Sequence, residues 1–362
     1  MKAPAFWEEH GLLPRLLTPF SWLWSRMALY RMARTAPRVT TVPVIVVGNL
    51  TTGGAGKTPT VIALLHHLQA MGLKPAVVSR GYGGRGGPAR RVDPARDRAA
   101  DVGDEPLLLA EVAPTWVDPT RVAGARLAEQ DGADVIVLDD GFQSARIAAD
   151  LAVVVLDRGQ GIGNGRVLPG GPMRAPLRAQ LDRAHVLVTI DCGEPIVRSA
   201  KAVIASADHR LMPIFRGRLE PRRPEALAGR RVVAYAGIGR PEKFVATLTR
   251  AGAEVVELVS FADHAALTPQ EAEQLLARAE AIGATLVTTA KDAVRLRGLD
   301  DGPLGRLRAL SEVLEVDLVL EEAESLTGIV DGLRRAAHER ERERERPRPF
   351  VRVHRDGRRA KS

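Results

Sequence analysis

The sequence predicts an α/β protein built from two αβα layered domains with mainly parallel sheets. Three observations carry this. Short apolar, β-branched runs alternate with helical patterns along most of the chain, the pattern of parallel strands covered by helices. One run, 41–47 (TVPVIVV), leads through a glycine-rich loop into a helical pattern at 61–68. The composition is 45% apolar but only 4% aromatic, a mix that suits α/β layers better than a β-sandwich. At 362 residues the chain exceeds one compact core, so two domains are expected.

The loop reads Gly48-Asn49-Leu50-Thr51-Thr52-Gly53-Gly54-Ala55-Gly56-Lys57-Thr58. Strand, glycine loop and helix in this order form a phosphate-binding loop, which makes the first domain P-loop NTPase-like. Backbone N–H groups and the helix N-terminus surround phosphate oxygens. Lys57 neutralises the β and γ phosphates, and the Thr58 hydroxyl ligates Mg²⁺. Thr51, Thr52, Gly53, Gly54, Ala55, Gly56, Lys57 and Thr58 form the expected nucleotide-contacting set. One departure stands out: Thr51 occupies the position where the usual pattern begins with glycine.

The run 133–138 (ADVIVL) ends in Asp139-Asp140, where P-loop enzymes place a second Mg²⁺ contact. Adjacent side chains point in different directions, so one reaches the metal and the other a substrate or loop. The alternative is a strand-end acid that caps a turn. Asp104-Glu105 lies between Gly103 and Pro106 in what reads as an exposed turn. Asp104 is either the base for an acceptor hydroxyl or a helix N-cap. His264 precedes a helix opened by a Thr268 cap and Pro269, and a lone histidine there suits a surface or capping role as well as catalysis. Arg80, Arg121 and Arg174 sit at loop or helix starts, where each meets a phosphate or substrate anion, or solvent.

Residues 12–34 are apolar but broken by Pro14, Arg15, Pro19, Arg26 and Arg31, too interrupted for a spanning helix. Leu16, Phe20, Leu23, Met27 and Tyr30 recur at helical spacing, and Trp7, Trp22 and Trp24 are three of the four tryptophans. This suits an amphipathic helix at a bilayer headgroup layer; the alternative is packing on the protein's own core. The expected organisation is a membrane-associated amphipathic helix at 1–35, a P-loop domain at 36–215, a smaller αβ domain at 216–335 and a charged, disordered tail at 336–362. Strands at 231–236, 255–259 and 285–289 belong to the smaller domain. The net charge of +8 fits an anionic substrate or membrane surface, and with arginines spread along the chain no nucleic acid is expected. A single cysteine, Cys192, excludes an intrachain disulfide and fits a reducing cytosol. It reads as a small residue at a strand end rather than a nucleophile.

Several motifs now align in order: 47–50 with the Gly-Gly-x-Gly-Lys-Thr-Pro loop, 79–83 (SRGYG), 102–106 (VGDEP), 139–143 (DDGFQ), 168–176, 237–241 (GIGRP), 261–264 (FADH) and 288–295. Spanning 43–295, they resemble the tetraacyldisaccharide 4′-kinase family, the lipid A 4′-kinases of Gram-negative bacteria. The resemblance implies transfer of the γ-phosphoryl group of ATP, with Mg²⁺, to the 4′-hydroxyl of a lipid disaccharide 1-phosphate, giving lipid IVA. It implies two αβα domains with the site in the cleft between them, at the cytoplasmic face of the inner membrane; a monomer is expected. It further implies that Asp104 pairs with His264 to activate the hydroxyl and that Glu105, Asp139 and Asp140 serve metal or substrate. Lys57 and Arg174 would stabilise charge, with Arg80 and Arg121 on the substrate. Two positions depart from the family: Arg174-Ala175-Pro176 for Arg-Glu-Pro, and Thr288-Thr289-Ala290-Lys291-Asp292 for Thr-Thr-Glu-Lys-Asp. Each removes a carboxylate.

Overall fold

The computed structural model describes residues 4–263 and 265–345. The strands of the first part of the chain are β1 Val44–Asn49, β2 Pro75–Ser79, β3 Arg90–Arg91, β4 Thr115–Val117, β5 Val135–Asp139, β6 Leu151–Asp157, β7 Val186–Asp191 and β8 Ile214–Pro221. β9 Arg231–Ala236, β10 Glu254–Ser260, β11 Thr285–Thr289 and β12 Ser311–Leu314 follow, and then β13 Val316–Leu320. Among the described residues they form two sheets, ordered β13-β8-β7-β6-β1-β5-β2-β4-β3 and β10-β9-β11-β12. The central strands of the large sheet, from β8 to β4, and all pairs of the small sheet run parallel. Among the described strands, β13 and β3 alone are antiparallel to their neighbours.

Parallel strands with helices on both faces must be apolar on both faces, and β1 shows the alternation. Val44 and Val46 enter one buried layer with Val78, Ile136 and Val154, whereas Ile45 and Val47 enter the opposite layer with Leu65, Val77 and Val137. β9 repeats this in the small sheet, with Val232 and Ala234 on one side and Val233 and Tyr235 on the other. A fifth cluster joins the domains: Val294 of the second packs among Val102, Leu107, Leu108 and Val117 of the first. The helix Pro269–Ile282 starts as its sequence predicts. Thr268 Oγ1 accepts from the Glu271 amide at 3.2 Å, and the Glu271 carboxylate accepts from the Thr268 amide at 2.7 Å.

The division expected at 215/216 falls inside β8, which belongs to the large sheet. The chain leaves that sheet through β8 and returns through β13, the two pairing antiparallel with Leu219 opposite Leu318. The second domain is therefore the inserted segment carrying β9 to β12, carried on two adjacent strands. The stretch around the expected boundary is a strand paired on both sides, with β7 and β13, and it alternates, burying Phe215 and Gly217 while exposing Arg216 and Arg218. The described part of the expected tail, to Glu345, is helical: the helix Ala323–Glu345 buries Leu326 and Val330 against the large sheet and places Arg340 3.0 Å from Asp150. Residues 346–362 lie outside the described residues.

The N-terminal segment is a short turn, Ala5–Trp7, and two helices, Leu12–Leu16 and Thr18–Met32. The expected single amphipathic helix is corrected on both counts. The helices bury only Pro14 and Ser21, and apolar residues lie all round Thr18–Met32, with Leu12, Leu16, Phe20, Trp22 and Tyr30 each more than 60% exposed. Polar contacts hold the segment instead. The Trp7 and Trp24 indoles donate to the Pro169 and Arg174 carbonyls at 3.0 and 3.1 Å, and the Gly170 amide donates to Ser21 Oγ at 3.0 Å. No described helix is long and apolar enough to cross a membrane.

Leu65, fully buried between the phosphate-loop helix and β1, tests the core. Leu65→Ala is expected to cost about 2–5 kcal/mol in urea unfolding, from lost burial plus the cavity left behind. A loss below about 1 kcal/mol would show that the layer repacks freely.

Candidate active site

In open parallel sheets, ligands bind beyond the carboxyl ends of the strands. Here β1, β5, β6 and β7 all present their ends to one cleft, with the second domain as its far wall. β1 ends in Asn49, and the glycine loop leads into the helix Lys57–Ala70. Gly56 takes φ 87° as the helix N-cap, and a Cβ there would lie 2.5 Å from the Ile190 side chain, so glycine is required on both counts. Thr51 needs no such freedom. It is buried in an antiparallel bridge with Met173, and its carbonyl accepts from Arg174 Nε at 3.0 Å. The Thr52 amide donates to the Pro172 carbonyl at 2.9 Å. The departure at Thr51 thus has a physical reason: the start of the loop is braced by 168–174 instead of turning tightly. Thr51 is a brace, and the loop's glycine cluster begins at Gly53.

Lys57 Nζ lies 3.4 Å from Asn49 Oδ1 and 3.6 Å from Asp140 Oδ1. Thr58 Oγ1 donates to Glu105 Oε1 at 3.4 Å. Asp139 and Asp140 diverge as adjacent residues should. Asp139 is buried, accepts from Ser79 Oγ at 3.2 Å, and leaves Oδ1 without a partner among the described residues. Burial first, then the charges of Glu105 and Asp140, push Asp139 up to about 7. Asp140, at φ 50°, grips the Arg174 guanidinium with both oxygens at 2.9 and 3.2 Å. Burial raises its pKa, but Lys57 and Arg174 outweigh that and hold it below the usual carboxylate range.

The remaining predicted residues fall in different places. Arg121, at φ 66°, caps the helix Val122–Gln130 and donates to the Asp139 and Asp140 carbonyls at 3.0 and 2.7 Å. It is 4% exposed, and burial lowers its pKa to about 10, which leaves it charged at neutral pH. Arg80 is exposed on the cleft rim. The expected exposed turn at Asp104 is corrected: Asp104 is 5% exposed and opens the helix Asp104–Ala110, with Gly103 at φ 92° before it. The second domain covers it, for Arg295 donates to Asp104 Oδ2 from Nε at 3.0 Å and from Nη2 at 2.5 Å. His264, its expected partner, lies outside the described residues. Cys192 is buried just past β7 and its thiol is pushed up to about 11, so the inert reading is the one its surroundings support.

Sequence reasoning missed the second domain's cations. Lys291 Nζ donates to Glu105 Oε1 at 2.5 Å. Burial works against both charges, yet Lys291 and Lys57 hold Glu105 low and Glu105, Asp104 and Asp139 hold Lys291 high, so both stay ionised. On the other flank, Lys243 and Asp157 form an ion pair and Arg240 donates to both Glu194 oxygens at 2.7 Å. The signal was present at 288–295: Lys291 and Arg295 lie one helical turn apart, directly after a parallel strand, and so face the strand-end cleft.

The site suits a divalent cation. An orphan buried carboxylate oxygen on Asp139, the Thr58 hydroxyl and Glu105 adjoin the phosphate loop. Among the described residues no three His, Cys, Asp or Glu side chains form a metal cage.

Known proteins share this arrangement. The tetraacyldisaccharide-1-P 4′-kinase (LpxK) family profile matches residues 13–333. The tetraacyldisaccharide 4′-kinases of Brucella ovis and Brucella abortus are each 44% identical over 328 residues, covering 91% of this chain and 95% of theirs. LpxK from Aquifex aeolicus, solved as an "apo" form in complex with ATP, superposes with a TM-score of 0.68 at 26% identity, over 89% of this chain and 99% of its own. With its phosphate loop, strand-end acids and interdomain cleft all inside the matched span, the chain belongs to the tetraacyldisaccharide-1-P 4′-kinase family.

Proposed function

We propose that this protein is an ATP-dependent kinase of lipid A biosynthesis that phosphorylates the 4′-hydroxyl of a tetraacyldisaccharide 1-phosphate to give lipid IVA. One observation carries the reading: a phosphate loop and a buried strand-end acid, Asp139, line one cleft that both domains wall. The amides of Gly53 to Lys57 cradle the phosphates and Lys57 neutralises them. Thr58 and Asp139 would hold Mg²⁺, which would supply positive charge to the phosphates, and Glu105 orients the Thr58 hydroxyl. Asp140 sets Lys57 and Arg174 side by side, and these two cations stabilise the transferring group. Arg121 is reassigned from substrate contact to positioning, because its guanidinium is already committed to the carbonyls of Asp139 and Asp140. Arg80, on the rim, is left to meet a substrate anion. Asp104 with His264 activates the acceptor hydroxyl.

Peripheral attachment to the cytoplasmic face of the inner membrane, as a monomer, completes the proposal. The exposed Leu16, Phe20, Trp22 and Tyr30 support it, as does the Arg26 guanidinium 5.9 Å from the Trp22 ring centre, an aromatic–cation pairing suited to headgroups.

Labelled ATP, Mg²⁺ and lipid disaccharide 1-phosphate should yield a bis-phosphorylated lipid, and Asp104→Ala should cut that turnover by about 100-fold or more while calorimetry still shows ATP binding. Near-normal turnover would overturn the base assignment. Asp139, raised from 3.8 to about 7, keeps in the folded state a proton that the unfolded chain loses above about pH 4. The contribution of Asp139 to stability without Mg²⁺ should therefore fall as pH rises from about 4 toward 7 and then level off. Asp139→Asn, which mimics the protonated acid, should be more stable above pH 7 by up to ~4 kcal/mol, the gain vanishing near pH 4. Urea titrations across that range check it; a constant difference would refute it. Replacing Trp22 and Leu23 together by Ser should weaken binding to anionic vesicles roughly tenfold or more in flotation assays, with the thermal transition unmoved.

A further inference from the structure

The helix Ala290–Arg295 follows β11 directly and brings the second domain against the start of the helix Asp104–Ala110. Its two cations meet adjacent acids of the first domain but are engaged differently. Arg295 is committed, bonding Asp104, Asp292 and the Gly237 carbonyl. Lys291 has one hydrogen-bond acceptor among the described residues, Glu105 Oε1 at 2.5 Å. That same oxygen accepts from Thr58 Oγ1 at 3.4 Å. The ammonium therefore stands one carboxylate oxygen from the phosphate-loop hydroxyl, at the cleft wall, with donors to spare.

The other cations of the cleft are placed otherwise. Lys57 approaches from the loop, Arg174 is tied to Asp140 by two bonds, Arg121 is buried beneath the acids, Arg80 is on the rim, and on the other flank Lys243 pairs with Asp157 and Arg240 holds both Glu194 oxygens. A transferring phosphoryl group spreads charge over three oxygens, and a cation from the loop covers only one side of it. We propose that Lys291 is a further catalytic cation, delivered by the second domain, that contacts the γ-phosphoryl group opposite Lys57, with Glu105 holding it in place before the nucleotide arrives. Its proton stays on throughout. The bond from the γ-phosphorus to the bridging oxygen breaks, the bond to the acceptor oxygen forms, and the hydroxyl proton leaves with the base. Supplying the charge from across the cleft makes phosphoryl transfer conditional on the domains meeting. The inference rests on the phosphotransfer reading above.

The test compares Lys291→Met, Lys291→Arg and the double variant Glu105→Gln/Lys291→Met, which removes the cation without leaving a buried carboxylate unpaired. Turnover, MgATP affinity by calorimetry and affinity for MgADP with aluminium fluoride, a mimic of the phosphoryl in flight, are measured on each. Lys291→Met should lower kcat by about 100-fold or more and weaken the fluoroaluminate complex to a similar degree, with MgATP affinity within about threefold. Lys291→Arg should recover at least about a tenth of the activity, and the double variant should remain as impaired as Lys291→Met. The proposal is overturned if kcat stays within about threefold of wild type. It is equally overturned if MgATP and fluoroaluminate affinities fall together, or if the double variant regains wild-type turnover, which would make Lys291 a mere counter-ion. Should Lys291→Met fail to fold, the double variant carries the same readings. A folded wild-type protein that phosphorylates no lipid disaccharide would sink the phosphotransfer reading itself, whereas active wild type beside an unimpaired Lys291→Met sinks this inference alone.

Discussion

The paired contacts of Asp104 with Arg295 and Glu105 with Lys291 set where the second domain stands over the phosphate loop. Ion pairs of this kind give little net stability, because desolvating both charges offsets most of their attraction. What they supply is register. Val294, between the two cations in sequence, packs into the apolar cluster of the first domain, so the ion pairs orient a contact that burial stabilises. The facing domain is carried on the antiparallel strands β8 and β13, and its position depends on what it touches across the cleft.

A second chain of contacts runs from the N-terminal segment into the site. The Trp24 indole holds the Arg174 carbonyl, the Arg174 guanidinium holds Asp140, and Asp140 lies beside Lys57. The loop 168–174 is the shared element, since it also braces Thr51 and Thr52. The aromatic residues that hold this loop by hydrogen bonds and those that face outward belong to the same short segment. The exposed apolar residues of the segment therefore belong to the same body that holds the Arg174 carbonyl.

Backbone strain gathers where these chains meet. Arg121 and Asp140 both take left-handed conformations without being glycine, at an ordinary cost of about 1–3 kcal/mol each. They lean on each other: the Arg121 guanidinium bonds the carbonyl of Asp140, and the strained turn lets the Asp140 carboxylate diverge from that of Asp139. One acid is thereby left buried with an open oxygen and the other is saturated with cations.

The sequence by itself determined the local pieces. The phosphate loop was legible because strand, glycines and helix are contiguous, the acids at Asp139 and Asp140 because a strand end is a local event, and the start of the helix Pro269–Ile282 because its capping box spans four residues. What the tertiary structure alone decided are matters of distance along the chain. Asp104 reads as an exposed turn until Arg295, 191 residues away, covers it, and Lys291 reads as a helix lysine until it meets Glu105 at a separation of 186. The return of β13 to the first sheet and the outward display of the N-terminal apolar residues belong to the same class. Each depends on which faces meet, and a pattern of neighbours records only how a segment folds on itself.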